Sequence, residues 1–267
     1  MEKTVAIIQA RLTSARFPNK IIQKFNHETL IEFLVKRVKA SKKIDQVIVA
    51  VPNNNKNKVV KKYLKNIDIF LGSENDVLDR YYKAAKKFNA KTIVRICGDC
   101  PFVDPVIIDK LLLLLNNGDY DYVSNTIKRT FPDGLDVEVF SFDVLEKAWK
   151  LARSKYEREH VTPYILKNKK FKKYNYVFKK DLSKIRLTID EKIDLKQLKT
   201  IYPYLKNGKK FGIDEIHKLY TKDKKLFSIN SLLKTNEGAK LNLGQKMWKR
   251  AKYIIPGGNM LLSKRPE

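Results

Sequence analysis

A mainly parallel α/β sheet covered by helices on both faces is the fold class this sequence predicts, and three observations predict it. Short, β-branched apolar runs (TVAIIQA, VIVAV, TIVRI) alternate with segments of helical spacing through the first half of the chain. Those runs are continuous rather than alternating, as strands buried on both faces must be. The 267 residues, 43% apolar and 32% charged, are too apolar for a disordered chain and long enough for one large domain plus a short extra segment.

Residues 4–10 (TVAIIQA) form the first predicted strand, followed by a polar stretch over 11–20 that contains Pro18. Residues 28–40 carry Leu30, Ile31, Leu34, Val35 and Val38 at helical spacing. Residues 47–51 are a second buried strand stopped by Pro52, residues 56–64 a helix and residues 67–71 a third strand. Gly72 breaks the pattern, Ser73 with Asp76 resembles a capping box, and Val77, Tyr81, Ala84, Ala85 and Phe88 mark one helical face. Residues 92–96 are the fourth strand, and a loop over 97–104 leads to a helix opened by Pro105. After about residue 118 the rhythm changes. Strands are predicted at 120–124, 135–140, 174–178 and 185–189, and helices at 142–153, 156–166, 195–205 and 213–220. Eight lysines within residues 167–184 mark an exposed connection or edge strand. From about residue 231 the chain changes character: a linker (235–238), an amphipathic helix (243–255) and a Pro256-Gly257-Gly258 stop. Two domains are therefore expected, 1–230 and 231–267.

Composition excludes several classes. No apolar run exceeds five residues, as at Leu111 to Leu115, whereas a bilayer needs roughly 20, so no membrane span is expected. The amino terminus has no small-residue cleavage site and no signal peptide is expected. Two cysteines cannot build a disulfide framework or a four-cysteine zinc site, which points to the reducing cytoplasm. The formal charge of +27 comes mainly from lysines spread along the chain. A solvated lysine-rich surface is favoured over a dedicated nucleic-acid face, and either would attract anionic ligands such as nucleotides.

In open parallel sheets, ligands collect at the carboxyl ends of the strands. After the first strand come Arg11, Arg16 and Lys20 with Thr13 and Ser14 between them, within ten residues. Arginine forks and a lysine point charge suit a triphosphate, although the loop is not a GxxxxGK[ST] Walker loop. After the fourth strand, Cys97-Gly98-Asp99-Cys100 admits a thiol pair or a carboxylate presented on a tight turn to a metal. Redox chemistry wants such a pair at a helix start, and here the helix begins only near Pro105. Asp190 ends a late strand, and Asp194 suits the start of the next helix on dipole grounds alone. Asp136 and Glu138 share one face of a strand, where a polar solvent face is an equal reading. Glu157 to Pro163 is dense in polar groups; an isolated histidine such as His160 is more often structural than catalytic.

The runs IIQARLTSARFPNK, GSENDVLDRYY, VRICGDCPFVDP, DYVSN, FPDGLDVEVF, EREHVTP and RLTIDEKIDL occur in an order that resembles a bacterial cytidylyltransferase family, the one named for spore coat polysaccharide biosynthesis. That family is similar to the CMP-Kdo and CMP-sialic acid synthetases, and the resemblance spans about residues 1–225. It implies a Rossmann-like nucleotide-diphospho-sugar transferase sheet of the glycosyltransferase-A type. It implies CTP under the 11–20 loop, with Arg16 and Lys20 on the β- and γ-phosphates and Arg11 and Ser14 close by. Asp99 and Asp190 fall on the positions expected to ligate Mg²⁺. Ser73 to Arg80 aligns with a segment near the base, and Asp136, Glu138, Arg158, His160 and Arg186 are expected to face the acceptor. Attack of an acceptor oxygen on the α-phosphorus would release pyrophosphate. The acceptor implied is an acidic sugar, with a phosphorylated amino acid or sugar phosphate as the alternative, and relatives suggest a homodimer.

The tail GQKMWKRAKYIIPGGNMLLSKRPE is similar to the opening of glutamate-1-semialdehyde-type, PLP-dependent aminotransferases. It implies a fused or partner aminotransferase, of which this chain would hold only the start. A basic RNA-binding or scaffold protein is the rival class, against which stands the lack of an RNP-like aromatic motif or zinc-knuckle spacing. UTP or ATP is not excluded by the residues themselves; the choice of CTP rests on the resemblance.

Overall fold

The computed structural model describes residues 2–205 and 211–233. The chain divides into two compact units, Met1–Asn230 and Ser231–Glu267. The aminotransferase-like tail, residues 244–267, lies outside the described residues.

In chain order the elements are β1 (Thr4–Gln9), β2 (Lys24–Phe25), β3 (Glu28–Thr29), α1 (Leu30–Lys39), β4 (Gln46–Pro52), α2 (Asn55–Lys58), β5 (Asp68–Gly72), α3 (Val77–Lys87), β6 (Thr92–Cys97), α4 (Pro105–Asn117) and β7 (Tyr122–Ser124). Then follow β8 (Glu138–Ser141), α5 (Phe142–Leu151), α6 (Lys155–His160), α7 (Pro163–Lys167), β9 (Lys173–Asn175), α8 (Lys192–Leu205) and α9 (Ile213–Lys222). Seven strands make one sheet in the order β5-β4-β1-β6-β8-β7-β9. β8 runs against its neighbours β6 and β7, and the other pairs are parallel. β1 sits in the centre, in register with Gln46–Ala50 on one side and Thr92–Cys97 on the other.

Two hydrophobic cores explain the continuous apolar runs. Ala6, Ile8, Val94 and Ile96 pack against α1 and α4, whereas Val5, Ile7 and Ile93 pack against α3 and α5. Each central strand therefore buries both of its faces, and alternate residues go to opposite cores. Among the described helices none is long and apolar enough to cross a membrane.

Three expected elements differ in the structure, the first being the helix over 56–64, which is α2 followed by a 3₁₀ turn at Val59–Lys62. The helix predicted over 156–166 is two helices, because Val161 has φ +72° and its neighbour Thr162 donates its N–H to the His160 carbonyl at 2.9 Å. This is a γ-turn conformation unusual for a β-branched residue, and Pro163 then opens α7. The strand predicted over 185–189 is an extended segment with a single bridge, Asp133 to Arg186. Leu187 N makes that bridge by donating to the Asp133 carbonyl (2.6 Å), while Ile189 N goes to the Asp99 carbonyl (2.8 Å). Gly134, at φ +107°, permits this approach, since a Cβ there would lie 2.4 Å from Thr188 N. The cap of α3 is Asp76 itself, accepting from Asp79 N, while the Ser73 hydroxyl accepts from Asp76 N one turn earlier.

Candidate active site

The carboxyl ends of β1 and β6 lie side by side, so the loops after them share one edge of the sheet. The loop after β1 is closed by Asn19, whose N–H donates to the Leu12 carbonyl at 2.9 Å and whose φ of +58° asparagine tolerates. Leu12 N is itself held by the fully buried Asn57 of α2, whose Oδ1 accepts at 2.7 Å. Lys20 follows Asn19 and opens a short 3₁₀ turn (Lys20–Ile22) in which both Lys20 and Ile21 are buried. The lysine is thereby turned inward, toward the sheet edge.

The turn after β6 begins at Gly98, whose N–H donates to the Gln9 carbonyl at 2.7 Å. A Cβ at Gly98 would lie 2.9 Å from that same oxygen, so the close approach of β6 to β1 requires glycine. Asp99 projects from this turn. The segment carrying Asp190 is pinned against it by the Ile189–Asp99 backbone bond and by the Thr188 hydroxyl, which donates to the Asp99 carbonyl at 3.2 Å.

Lys20 Nζ joins these loops. It donates to Asp99 Oδ2 at 2.9 Å, to Asp190 Oδ1 at 3.0 Å and to the Ile189 carbonyl at 2.7 Å. Burial works against its charge, but Asp99 and Asp190 overcome that and raise its pKa. Arg16, from the same loop, reaches Asp190 Oδ2 at 2.9 Å. Burial alone would push the Asp190 carboxyl up; Lys20 and Arg16 reverse this and hold it at about 2.

A second layer supports Asp190. Arg186 is 5% exposed and donates through Nε and Nη2 to Asp194 (2.9 and 3.0 Å), with Nη2 also 3.3 Å from Asp190 Oδ2 and Nη1 3.4 Å from Asp133. The fully buried Asp194 accepts further from the backbone amides of Asp190 and Glu191, both at 2.9 Å, and from Asn230 Nδ2 at 2.8 Å. Its carboxylate is therefore the fixed point that orients the turn bearing Asp190. The sequence suggests only a helix-start charge for Asp194; three of its partners lie within eight residues and Asn230 is 36 residues away.

The structure brings Arg16, Lys20, Asp99 and Asp190 together. Arg11 is exposed at the start of the same loop, and Ser14 Oγ lies 3.5 Å from Phe17 N within it. Thr13 donates to Glu74 at 2.9 Å, which ties this loop to the one after β5. Arg80 is 1% exposed and donates to the Ser73 carbonyl at 2.5 Å, with burial lowering its pKa to about 10.

Of the residues expected to face the acceptor, Glu138 and Arg186 are buried instead. Glu138 does not face an open pocket: it is buried against Arg95, and its Oε1 accepts from Tyr122 (2.6 Å) and Thr162 (2.8 Å). Arg186 is likewise buried, and its guanidinium is engaged by the three aspartates described above. Asp136 is forked by Arg129 at 2.5 and 2.7 Å, a partner the sequence analysis did not single out. Arg158 forks Asp76 at the start of α3 (2.8 and 2.5 Å) and donates to the Trp149 carbonyl at 2.7 Å. His160 ends α6, with its ring 4.6 Å from that of Tyr156.

Burial pushes Cys97 up to about 12 and Cys100 well above its ordinary value, and both cysteines are free. The turn they flank presents Asp99 instead.

Comparison with known proteins identifies the family. Residues 5–236 match the model of the cytidylyltransferase family. An uncharacterised protein of Methanocaldococcus jannaschii is 43% identical over 73% of this chain and 81% of its own. The spore coat polysaccharide biosynthesis protein SpsF of Bacillus subtilis is 29% identical over 76% of this chain and 87% of its own. A solved cytidylyltransferase from Leptospira borgpetersenii superposes with a TM-score of 0.80 at 35% identity, covering 89% of this chain and all of that one (100%). A CMP-2-keto-3-deoxy-manno-octonic acid synthetase complexed with CTP shares the fold, with a TM-score of 0.59 at 15% identity over 76% of this chain and 99% of that one. With most of its length matched, and with its cations and carboxylates gathered where this sheet places ligands, the chain belongs to the cytidylyltransferase family of nucleotidyltransferases.

Proposed function

We propose that this protein transfers CMP from CTP to an acidic sugar or a related anionic acceptor, with release of pyrophosphate, during synthesis of a cell-surface polysaccharide or glycoconjugate. The observation that carries the reading is the convergence of Lys20, Asp99 and Asp190 at the carboxyl edge of the sheet. The names of SpsF and of the CTP-bound synthetase support the class of acceptor and of donor.

The donor set fits a hard divalent ion, taken here as Mg²⁺. Two carboxylate oxygens and a backbone carbonyl lie within 3.0 Å of one point, the Lys20 nitrogen. Among the described residues no cluster of three or more histidine, cysteine or acidic side chains could hold a metal alone. Mg²⁺ commonly uses one or two carboxylates and completes its shell with water and substrate phosphates. Asp99 and Asp190 would hold it, and when bound it would neutralise charge on the phosphates and polarise the reacting phosphoryl group.

The chain's own residues supply the rest. Arg16 and Lys20, with Arg11 and Ser14 nearby, would orient the triphosphate and offset the charge that grows on the departing pyrophosphate. Ser73 and Arg80 would line the side toward the base. Asp136, Arg158 and His160 would border the acceptor, with Arg129 joining them through Asp136. Asp194, through the Asp190 and Glu191 amides, would keep the Asp190 carboxylate aimed. No covalent intermediate on the protein is needed.

The test is pyrophosphate release from CTP and Mg²⁺ with separate pools of 2-keto sugar acids, sugar phosphates and phosphorylated amino acids. Release confined to the sugar-acid pool is expected. Release with another pool would move the acceptor class, and release with UTP or ATP in preference to CTP would contradict the donor.

A further inference from the structure

Lys20 stands where the reading above puts a divalent ion. Its side chain is 9% exposed and its ammonium is held by three oxygens, from Asp99, Asp190 and the Ile189 carbonyl, at 2.7 to 3.0 Å. The two carboxylates already face three cations: Lys20, Arg16 at 2.9 Å and Arg186 at 3.3 Å, the last two both on Asp190. A free divalent ion entering that seat would meet Lys20 and Arg16 already on its two carboxylates and would have to displace a desolvated, fully bonded ammonium. A triphosphate changes the balance. It brings several negative charges and new oxygen acceptors to the mouth of the same loop, so the lysine can leave the carboxylates without losing its partners.

Resting on the assignment of Asp99 and Asp190 as the metal seat, we propose that Lys20 is a resident counter-cation. It closes that seat to free divalent ions and yields it only when a triphosphate arrives. Lys20 thus has two stations: between the carboxylates in the resting protein, and on phosphate oxygens in the loaded one. The flexible four-carbon stem of lysine suits such a transfer, where a planar guanidinium would not. The consequence is ordered loading: the protein takes up metal together with nucleotide and binds little metal alone.

The experiment measures Mn²⁺ binding without nucleotide, from the free-ion electron paramagnetic resonance signal, for the full chain as wild type, Lys20→Gln, and Lys20→Gln with Asp99→Asn. The expected result is at least tenfold tighter Mn²⁺ binding by Lys20→Gln than by wild type, abolished in the double variant. Wild type binding Mn²⁺ alone as tightly as Lys20→Gln, with both sensitive to Asp99→Asn, would keep the metal seat and overturn the role of Lys20. Mn²⁺ binding insensitive to Asp99→Asn, with or without CTP, would remove the metal seat and the proposal with it. Should Lys20→Gln fail to fold, wild-type melting carries the test: Mn²⁺ alone should leave the melting temperature unchanged, and Mn²⁺ with CTP should raise it. A rise with Mn²⁺ alone that Asp99→Asn removes would overturn the proposal.

Discussion

The two flanks of the sheet's carboxyl edge carry the same residue types arranged to opposite ends. Beside β1, Arg16, Lys20, Asp99 and Asp190 meet at a mouth where Arg16 is 43% and Asp99 30% exposed. Beside β8, Arg95 and Glu138 are 13% and 6% exposed and are closed over by Tyr122 and Thr162. The first set can exchange a partner for a ligand. The second cannot, because removing either charge leaves the other buried with nothing to replace it. A charged residue at a strand end is therefore equipped for chemistry only when one side of its pair remains open to solvent.

The largest effect should fall on the closed flank. Glu138→Ala leaves the Arg95 guanidinium buried without its carboxylate and should cost about 3–5 kcal/mol of stability, read by urea unfolding. A loss below about 1 kcal/mol would mean that Glu138 is not the buried partner described, and the contrast between the flanks would fail.

The open flank depends on hidden support, which Asn57 tests. Asn57→Ala removes the acceptor of Leu12 N and should cost about 1–3 kcal/mol. It should raise the KM for CTP more than it lowers kcat, because the loop is loosened while its charges remain. An unchanged KM would detach α2 from the loop after β1.

Between the flanks, Asp133 titrates differently from Asp190. Burial, then Asp136, pushes Asp133 up to about 6. A carboxyl raised in the folded state contributes stability that is complete below its unfolded pKa of about 4 and is lost as the pH rises through about 6. Asp190 behaves in the opposite sense: its contribution is present above about 4 and is lost as the pH falls through about 2. Asp133→Asn should flatten the stability profile between about pH 4 and 6 and leave the more acidic limb in place. A profile identical to wild type would remove the assigned difference.

The smallest effect concerns the thiols. Cys97 and Cys100 flank the Asp99 turn; Cys100 is buried and Cys97 half-buried, and both carry raised pKa values. Iodoacetamide at pH 8 should leave both unmodified and CTP turnover unchanged, checked by mass spectrometry on the folded protein. Rapid alkylation would show that the turn opens.

The sequence makes the open flank legible and hides the closed one, for a physical reason. Arg11, Arg16 and Lys20 follow the first buried strand within ten residues, and Asp99 follows the fourth, so strand order alone brings them to one edge. Glu138 is decided by a partner 43 residues distant, Arg95, whereas Arg186 and Asp194 pair with each other eight residues apart and only their added contacts, to Asp133 and Asn230, come from 53 and 36 residues away. No periodicity reports such pairings. Arg129 escapes notice for the same reason, since its fork on Asp136 depends on how the 125–137 segment folds back. The expected 156–166 helix fails at Val161, where a backbone conformation disfavoured for valine is imposed by burial of its side chain and by the His160–Thr162 bond.

In the proposed reaction Asp99 acts at the reacting triphosphate from the open flank without supporting the fold. The most direct measurement compares wild type and Asp99→Asn for pyrophosphate release from CTP with Mg²⁺ and a 2-keto sugar acid pool, alongside melting temperature. A rate lowered by about a hundredfold or more, with melting within a few degrees of wild type, is the predicted result. Near-normal release by a well-folded Asp99→Asn protein would contradict the account.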